Sequence, residues 1–298
     1  MAKENTGVTT DYTVTAREID FVTQFERDWQ HLRDIMGIVK PIKKAPGTVL
    51  KSKYAAGTLK SGTVGEGEEI PYSKFEVKTK DYAAITVEKY AKAVSIESIA
   101  EHGYDVAVQM TDDEFRYELT QNVADRFYTY LNTGKLTSTE DTLQKALAMA
   151  KGNVLAKFKG MHRAVTGVVG FANILDVYEY LGEKEITVQT AFGITYIKDF
   201  LGLDTLFLLS DNEIKRGRVI ATPINNIVLY YVDPSESDFA KAGLQYTVSG
   251  ETNLVGYHAQ GNYSTAVTES YALLGLTLFA EYLDGIAVID VATASDGE

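Results

Sequence analysis

The stretch from residue 42 to residue 80 limits this chain more than any other part of it. It opens on a break, Ile42-Lys43-Lys44-Ala45-Pro46-Gly47, where proline withholds a backbone donor. Two strand-like pieces follow, Thr48–Tyr54 and Lys74–Lys80, with Gly57, Gly62, Gly65 and Gly67 between them. The middle holds few apolar side chains, so it cannot anchor itself in a core of its own. Unanchored connections of this length are uncommon in compact domains and are usually functional. The ribbon is therefore either a disordered surface loop or an arm that another surface holds down.

The rest of the chain is rich enough to fold. Of its 298 residues 45% are apolar, with 19 Tyr and 12 Phe, a composition that argues against disorder. That supports one large core or two modest ones. There is no cysteine, which excludes disulfides, thiolate metal sites and a cysteine nucleophile. Met1 to Asp11 is polar and lacks the apolar region of a signal peptide. The richest apolar run, Tyr271 to Leu283, is shorter than the roughly 18 residues a membrane helix needs and carries Glu281. A net charge of −12 argues mildly against a sequence-specific DNA-binding domain. It suits a surface that lies beside packed DNA without sticking to it.

Periodicity places the elements. Residues 1–14 read as a flexible lead. From Thr15, the apolar positions Ile19, Val22, Phe25, Trp29, Leu32 and Met36 recur at spacings of three and four, while Arg17, Glu18, Arg27, Asp28 and Asp34 fill other faces. This predicts an amphipathic helix, packed on its own core or on a neighbour, stopped by Gly37 and Pro41. Residues 82–91 alternate as a strand, and Ser95 to Ser98 starts a helical turn. A long helix over Asp105–Leu131 follows, with Asp105 as its cap and a stripe at Phe115, Leu119, Val123, Phe127 and Leu131. At about 27 residues it spans roughly 40 Å. Residues 135–140 read as a linker and domain boundary. Beyond them come a helix over Asp141 to Phe158, a strand over Ala164 to Ala172 and a short helix over Ile174 to Leu181. Strands at Thr205 to Ser210, Arg218 to Ala221, Asn226 to Val232, Leu254 to His258, Ser270 to Tyr282 and Ile286 to Val291 complete the pattern, and a small polar tail ends it. There is no internal repeat.

Catalytic chemistry is not written in these residues. The spacing of Gly57 and Gly62 resembles a phosphate loop, but Thr63 stands where its lysine must be. Gly65 to Glu69 is an acidic turn that repels phosphate, and a solvated turn explains it better than a weak cation site. His31, His102, His162 and His258 share no metal-ligand spacing. Thr111-Asp112-Asp113-Glu114 lacks the alternation of a calcium loop and reads as a charged helix face. There is no Gly-x-Ser-x-Gly elbow. The Asn262-Tyr263-Ser264 acceptor means nothing without secretion. No catalytic, cofactor-binding or metal-ligating residue is expected, and no enzyme activity.

The order of elements resembles the Hong Kong 97-type major capsid protein of tailed bacteriophages over nearly the whole chain. The strongest segment is Glu66-Gly67-Glu68-Glu69-Ile70-Pro71-Tyr72-Ser73-Lys74, followed by Lys89-Tyr90-Ala91-Lys92-Ala93-Val94-Ser95-Ile96-Glu97. The resemblance implies an α+β capsid fold with an N-terminal arm (1–45), an extended β-hairpin loop (46–83), a peripheral domain with a long spine helix (84–134 and 244–298) and an axial domain (135–243). It implies self-assembly into hexamers and pentamers of an icosahedral shell around a phage genome, in the virion, after assembly in the host bacterial cytoplasm. Inter-subunit contacts are expected from Trp29, Lys51, Lys53, Lys60, Glu66, Glu68, Glu69, Tyr72 and Lys74. Expected partners are further copies of the chain, a separate scaffold protein, a portal, and double-stranded DNA by proximity, with no membrane. Many relatives carry a scaffolding segment before the arm. Here the chain starts close to the arm, as in a mature form or a system with a separate scaffold. Some relatives join a loop lysine to a neighbour's asparagine. Lys51, Lys53, Lys60, Asn253 and Asn262 define no pair, so no such crosslink is expected. The alternatives are an encapsulin-type nanocompartment shell of the same fold, a soluble α/β enzyme, and a phage tail or decoration protein.

Overall fold

A computed structural model describes residues 9–37, 41–182, 188–191, 194–236, 239, 241, 243–250 and 252–292. The first helix, α1, spans Thr9–Met36 and so starts earlier than Thr15. Of the flexible lead expected over 1–14, residues 1–8 lie outside the described residues, and the rest is helix. Val22, Phe25, Trp29, Leu32 and Met36 are buried as their spacing predicts, and Phe21 joins them. Three positions reverse the expectation. Ile19 is 50% exposed, while Glu18 and Asp28 are buried.

After the short strand β1 (Ile42–Lys43), the chain forms a two-stranded ribbon of β2 (Val49–Gly57) and β3 (Phe75–Ala84). Its antiparallel register runs from Val49↔Ala84 to Gly57↔Phe75, with a bulge between Val49 and Lys51. β4 covers Glu88–Ser95, so the single strand expected over 82–91 is divided. The division falls at Ile85, which turns inward with Leu50 to pack with Tyr230, Val232 and Phe279. Burying that side chain outweighs continuing a solvated ribbon. Ser95 Oγ then accepts from Ser98 N at 3.2 Å and caps α2 (Ile96–His102), which Gly103 ends at φ +81°.

The spine is a π-helical turn over Asp105–Met110 running into α3 (Thr111–Leu131). Asp105 sits inside that turn and is not a cap. The stripe Leu119, Val123, Phe127 and Leu131 is buried, and Ala124 and Tyr128 widen it. Asp112, expected on a charged outer face, is buried instead.

Residues 135–140 are not a linker. Leu136–Glu140 is β5, pairing in parallel with a strand from the chain's end. Thr142 Oγ1 caps α4 (Leu143–Gly160), accepting from Lys145 N at 3.3 Å. β6 (Val168–Asn173) and α5 (Ile174–Leu181) follow, then β7 (Gln189–Ala191), β8 (Ile194–Phe200), β9 (Leu203–Leu209), β10 (Arg218–Pro223) and β11 (Ile227–Tyr231). The strands β7 and β8 carry no signal that periodicity detects. The last strands are β12 (Val255–Asn262), β13 (Val267–Leu274), β14 (Leu276–Ala280) and β15 (Ala287–Val291).

The expected strand over 270–282 is two strands, broken at Gly275, and they enter different sheets. A Cβ at Gly275 would stand 2.6 Å from Val232 Cβ, so only glycine lets the chain cross there. The sheets are β5-β15-β10-β6-β9-β8-β7, β12-β13-β4 and β1-β11-β14, beside the β2-β3 ribbon. The expected division at residues 135 and 244 does not coincide with them. β15, from the segment assigned to the peripheral domain, lies inside the seven-stranded sheet between β5 and β10. β11, from the axial segment, pairs with β14 and β1. The cause is tertiary: each apolar strand is placed where it completes a ladder and covers a core. One core holds α1, α3, β12 and β14 side chains; a second joins α4 and α5 to the seven-stranded sheet.

Candidate inter-subunit surface

The ribbon is rooted in the body and otherwise stands away from it. At the root, Leu50 and Ile85 are 4% and 1% exposed. Beyond it, β2 and β3 pack extensively on each other alone among the described residues. The connection between them has the composition of a soluble turn, yet large apolar groups project from it: Leu59, Ile70 and Tyr72 are 77%, 68% and 88% exposed. Phe75 and Val77, two residues apart on β3, are also exposed and lie on one face of the ribbon. Local hydrogen bonds shape the connection: Lys60 N donates to Ser73 Oγ at 2.9 Å, and Gly65 N donates to Glu68 Oε2 at 2.9 Å. These fold the turn without hiding its apolar groups.

The body that carries the ribbon is stiffened by α1. β12 is the edge of its sheet, and an edge exposes unpaired N–H groups. Glu18 and Glu26, eight residues apart on α1, supply the missing acceptors. Ala259 N donates to Glu18 Oε1 at 2.6 Å and Leu254 N to Glu26 Oε1 at 3.0 Å. Thr247 Oγ1 adds a bond to Glu18 Oε2 at 2.6 Å. This explains why carboxylates, not Ile19, occupy the buried face.

Beside them lies a charged cluster that joins four elements. Arg17 on α1 forks onto Asp112 on α3, Nε to Oδ2 at 2.5 Å and Nη2 to Oδ1 at 2.8 Å. Lys92 Nζ on β4 stands 2.7 Å from Asp112 Oδ1, and the Tyr257 hydroxyl on β12 donates to the same oxygen at 2.9 Å. Burial alone would raise the Asp112 pKa, but the bonds from Arg17 and Lys92 outweigh it and hold the carboxyl below its ordinary range. Lys92 is depressed by burial, which its bond to Asp112 only partly offsets. Near the spine's far end, Arg218 on β10 grips Asp290 on β15 at 2.7 and 3.0 Å and reaches Asn132 Oδ1 at 3.2 Å. Arg218 thus ties the seven-stranded sheet to the end of α3.

The residues expected at subunit contacts divide sharply. Lys51, Lys60, Glu66, Glu68, Glu69, Tyr72 and Lys74 are all exposed on the ribbon. Lys51 pairs with Asp81 at 3.4 Å and Lys74 with Glu76 at 2.6 Å. The side chain of Lys53 lies outside the described residues. Trp29 is corrected: it is 0% exposed, beside Phe25 in the main core, and offers nothing to a neighbour. Its apolar spacing is equally that of a core residue, and only packing separates the two. Sequence reasoning missed the exposed apolar groups Leu59, Ile70, Phe75 and Val77, whose signal is a large apolar residue in a polar, glycine-rich setting. Of the asparagines, Asn253 Oδ1 accepts from Gly250 N at 2.9 Å, and Asn262 Nδ2 donates to Glu269 at 2.8 Å. Among the described residues no three His, Cys, Asp or Glu side chains converge as a metal site, and no helix is long and apolar enough to cross a membrane.

No family model matches the sequence, and no curated protein matches it. Solved structures do match the fold. A structure from Microbacterium phage Oxtober96 aligns at TM-score 0.52 and 13% identity, covering 87% of this chain and 90% of that one. The capsid asymmetric unit of cyanophage A-1(L) aligns at TM-score 0.51 and 11% identity, over 87% and 92%. A holo-SrpI encapsulin complex from Synechococcus elongatus PCC 7942 aligns at TM-score 0.46 and 10% identity, over 87% of each chain. The chain has the Hong Kong 97-like capsid fold, a mixed helix and sheet architecture.

Proposed function

We propose that this chain is the major capsid protein of a tailed phage, a shell-building subunit without catalytic activity. It assembles through copies of itself into hexamers and pentamers that close an icosahedral shell. The observation that carries the proposal is the ribbon of β2 and β3. A two-stranded ribbon is marginal in water by itself. This one also presents Leu59, Ile70, Tyr72, Phe75 and Val77 to solvent. Apolar surface of that kind is expected on a monomer only where a partner covers it. The capsid fold makes another copy of the chain the natural partner. Heterologous contacts close into rings when the rotation between copies suits, and many weak contacts acting together make a stable shell.

The proposal extends to virion location, to assembly in a bacterial cytoplasm, and to a scaffold and a portal as separate chains. With a net charge of −12 the subunit would lie beside packaged DNA without binding it tightly. The test is negative-stain microscopy of the expressed protein, alone and with crowding agents. Closed shells are expected for the native chain. Replacing residues 55–77 by a two-residue Asn-Gly turn should leave a folded subunit that forms none. Native protein that stays monomeric both when expressed alone and in infected cells, where a scaffold chain is present, or shells that survive the shortened ribbon, would refute the proposal. Shell contents are a further check: nuclease-protected DNA in shells from infected cells fits a capsid, and a protein cargo without DNA fits a nanocompartment instead.

A further inference from the structure

At the root of the ribbon lies an apolar cavity of about 170 Å³, between the ribbon, α3 and β14. Leu50, Val123, Phe127 and Leu278 supply its walls, and Arg126 and Thr277 bring polar groups to it. A dry apolar cavity of roughly 150 Å³ accepts a benzene molecule. This one therefore has room for one aromatic ring.

We infer that the cavity receives the Tyr72 ring from the ribbon of a neighbouring copy. The inference rests on the shell-forming reading above and says where the ribbon lands. Tyr72 is 88% exposed, the most exposed ring on the ribbon among the described side chains. The same chain cannot fill the cavity with it. Leu50 and Gly57 are seven residues apart along β2, roughly 23 Å at about 3.3 Å per residue. Tyr72 is three residues beyond Phe75, the partner of Gly57, and can turn back only about 10 Å. A second copy carries the same ring on the same arm and has no such limit.

Charge agrees with this occupant. Glu68 and Glu69 stand four and three residues before Tyr72, and no cation pairs with either among the described residues. At the cavity, Arg126 donates from Nε to Asn122 O at 3.2 Å and from Nη1 to Glu88. A guanidinium has five N–H groups, so donors remain for an incoming carboxylate. Thr277 offers a hydroxyl to the phenol. The hydroxyl of Tyr130, also in the lining, is spent on Ala280 O at 2.9 Å. An aromatic anchor in an apolar pocket with a charged group beside it is the usual centre of a protein interface.

The absence of cysteine makes the test direct. Shells of the double variant Tyr72→Cys/Thr277→Cys are treated with a short thiol-to-thiol crosslinker, because ring depth holds the two Cα atoms beyond disulfide reach. A ladder of covalent multimers on denaturing gels is expected from the double variant and from neither single variant. In parallel, the thiol of Thr277→Cys alone should react with a maleimide at least tenfold more slowly in shells than in free subunits. Shells that give no ladder and no slowing overturn the cavity assignment while leaving the ribbon's general role intact. If the double variant does not assemble, the labelling of the single variant decides alone. If the native chain forms no shells, the underlying reading fails and this one with it.

Discussion

Replacing Asp112 with Asn tests how the body that carries the ribbon is held together. The side chain keeps its size and loses its charge. It then faces Arg17 and Lys92, whose side chains are 11% and 14% exposed, without a counter-charge. Removing one partner from a buried ion pair typically costs about 3–5 kcal/mol, because the remaining charge stays buried and unpaired. The cluster keeps slight access to water, so the lower end applies, about 3 kcal/mol. Urea unfolding of unassembled subunits reads this as a midpoint lower by about 1 M, taking a slope of about 3 kcal/mol per molar. The pH dependence gives a sharper check. Asp112 has a folded pKa below its unfolded value, so its contribution is present above about pH 3.9 and is lost as pH falls through the folded value. The gap between native and variant protein should hold from pH 7 to about pH 4 and narrow below. Asp28, whose pKa is raised by burial against the pull of Arg116, titrates in both proteins and cancels in the difference. A variant within about 0.5 kcal/mol of native, or a gap that does not narrow in acid, would show that this cluster does not tie the elements together.

Two further substitutions separate core from surface. Trp29→Ala should destabilise the free subunit by about 3–5 kcal/mol in denaturant unfolding, as expected for a fully buried aromatic, while the exposed Tyr72→Ala should change it by less than about 0.5 kcal/mol. Gly256→Ala should cost about 1–3 kcal/mol in thermal or urea unfolding, since its Cβ would stand 2.6 Å from Pro234 Cβ and 2.8 Å from Tyr246 Cβ.

Much of the architecture is legible without coordinates. The spacing of Val22, Phe25, Trp29, Leu32 and Met36 marks α1, and that of Leu119, Val123, Phe127 and Leu131 marks α3. Both patterns are local, set by 3.6 residues per turn. The ribbon is legible through what it lacks. Other features were hidden for specific reasons. Glu18 and Glu26 look like solvent-facing charges until β12, more than 200 positions on, needs acceptors. β5 looks like a linker because its pattern of Thr and Ser says nothing of β15, which completes it. The cavity that Leu50, Val123 and Leu278 build draws on three separated segments, and no one of them announces a hollow.

The amino-acid sequence alone determines the helices, the polar ribbon, the absence of thiol chemistry and the acidic surface, because each follows from near neighbours or from composition. Tertiary structure alone decided that Trp29 serves the core, that Asp112 is buried among cations, that β15 enters the seven-stranded sheet, and where apolar groups remain uncovered. Those outcomes depend on which distant segments meet. A polar group taken out of water must find a new hydrogen-bond partner, and an apolar group must find a surface to cover it. Both are supplied by segments far along the chain, which the local sequence does not name.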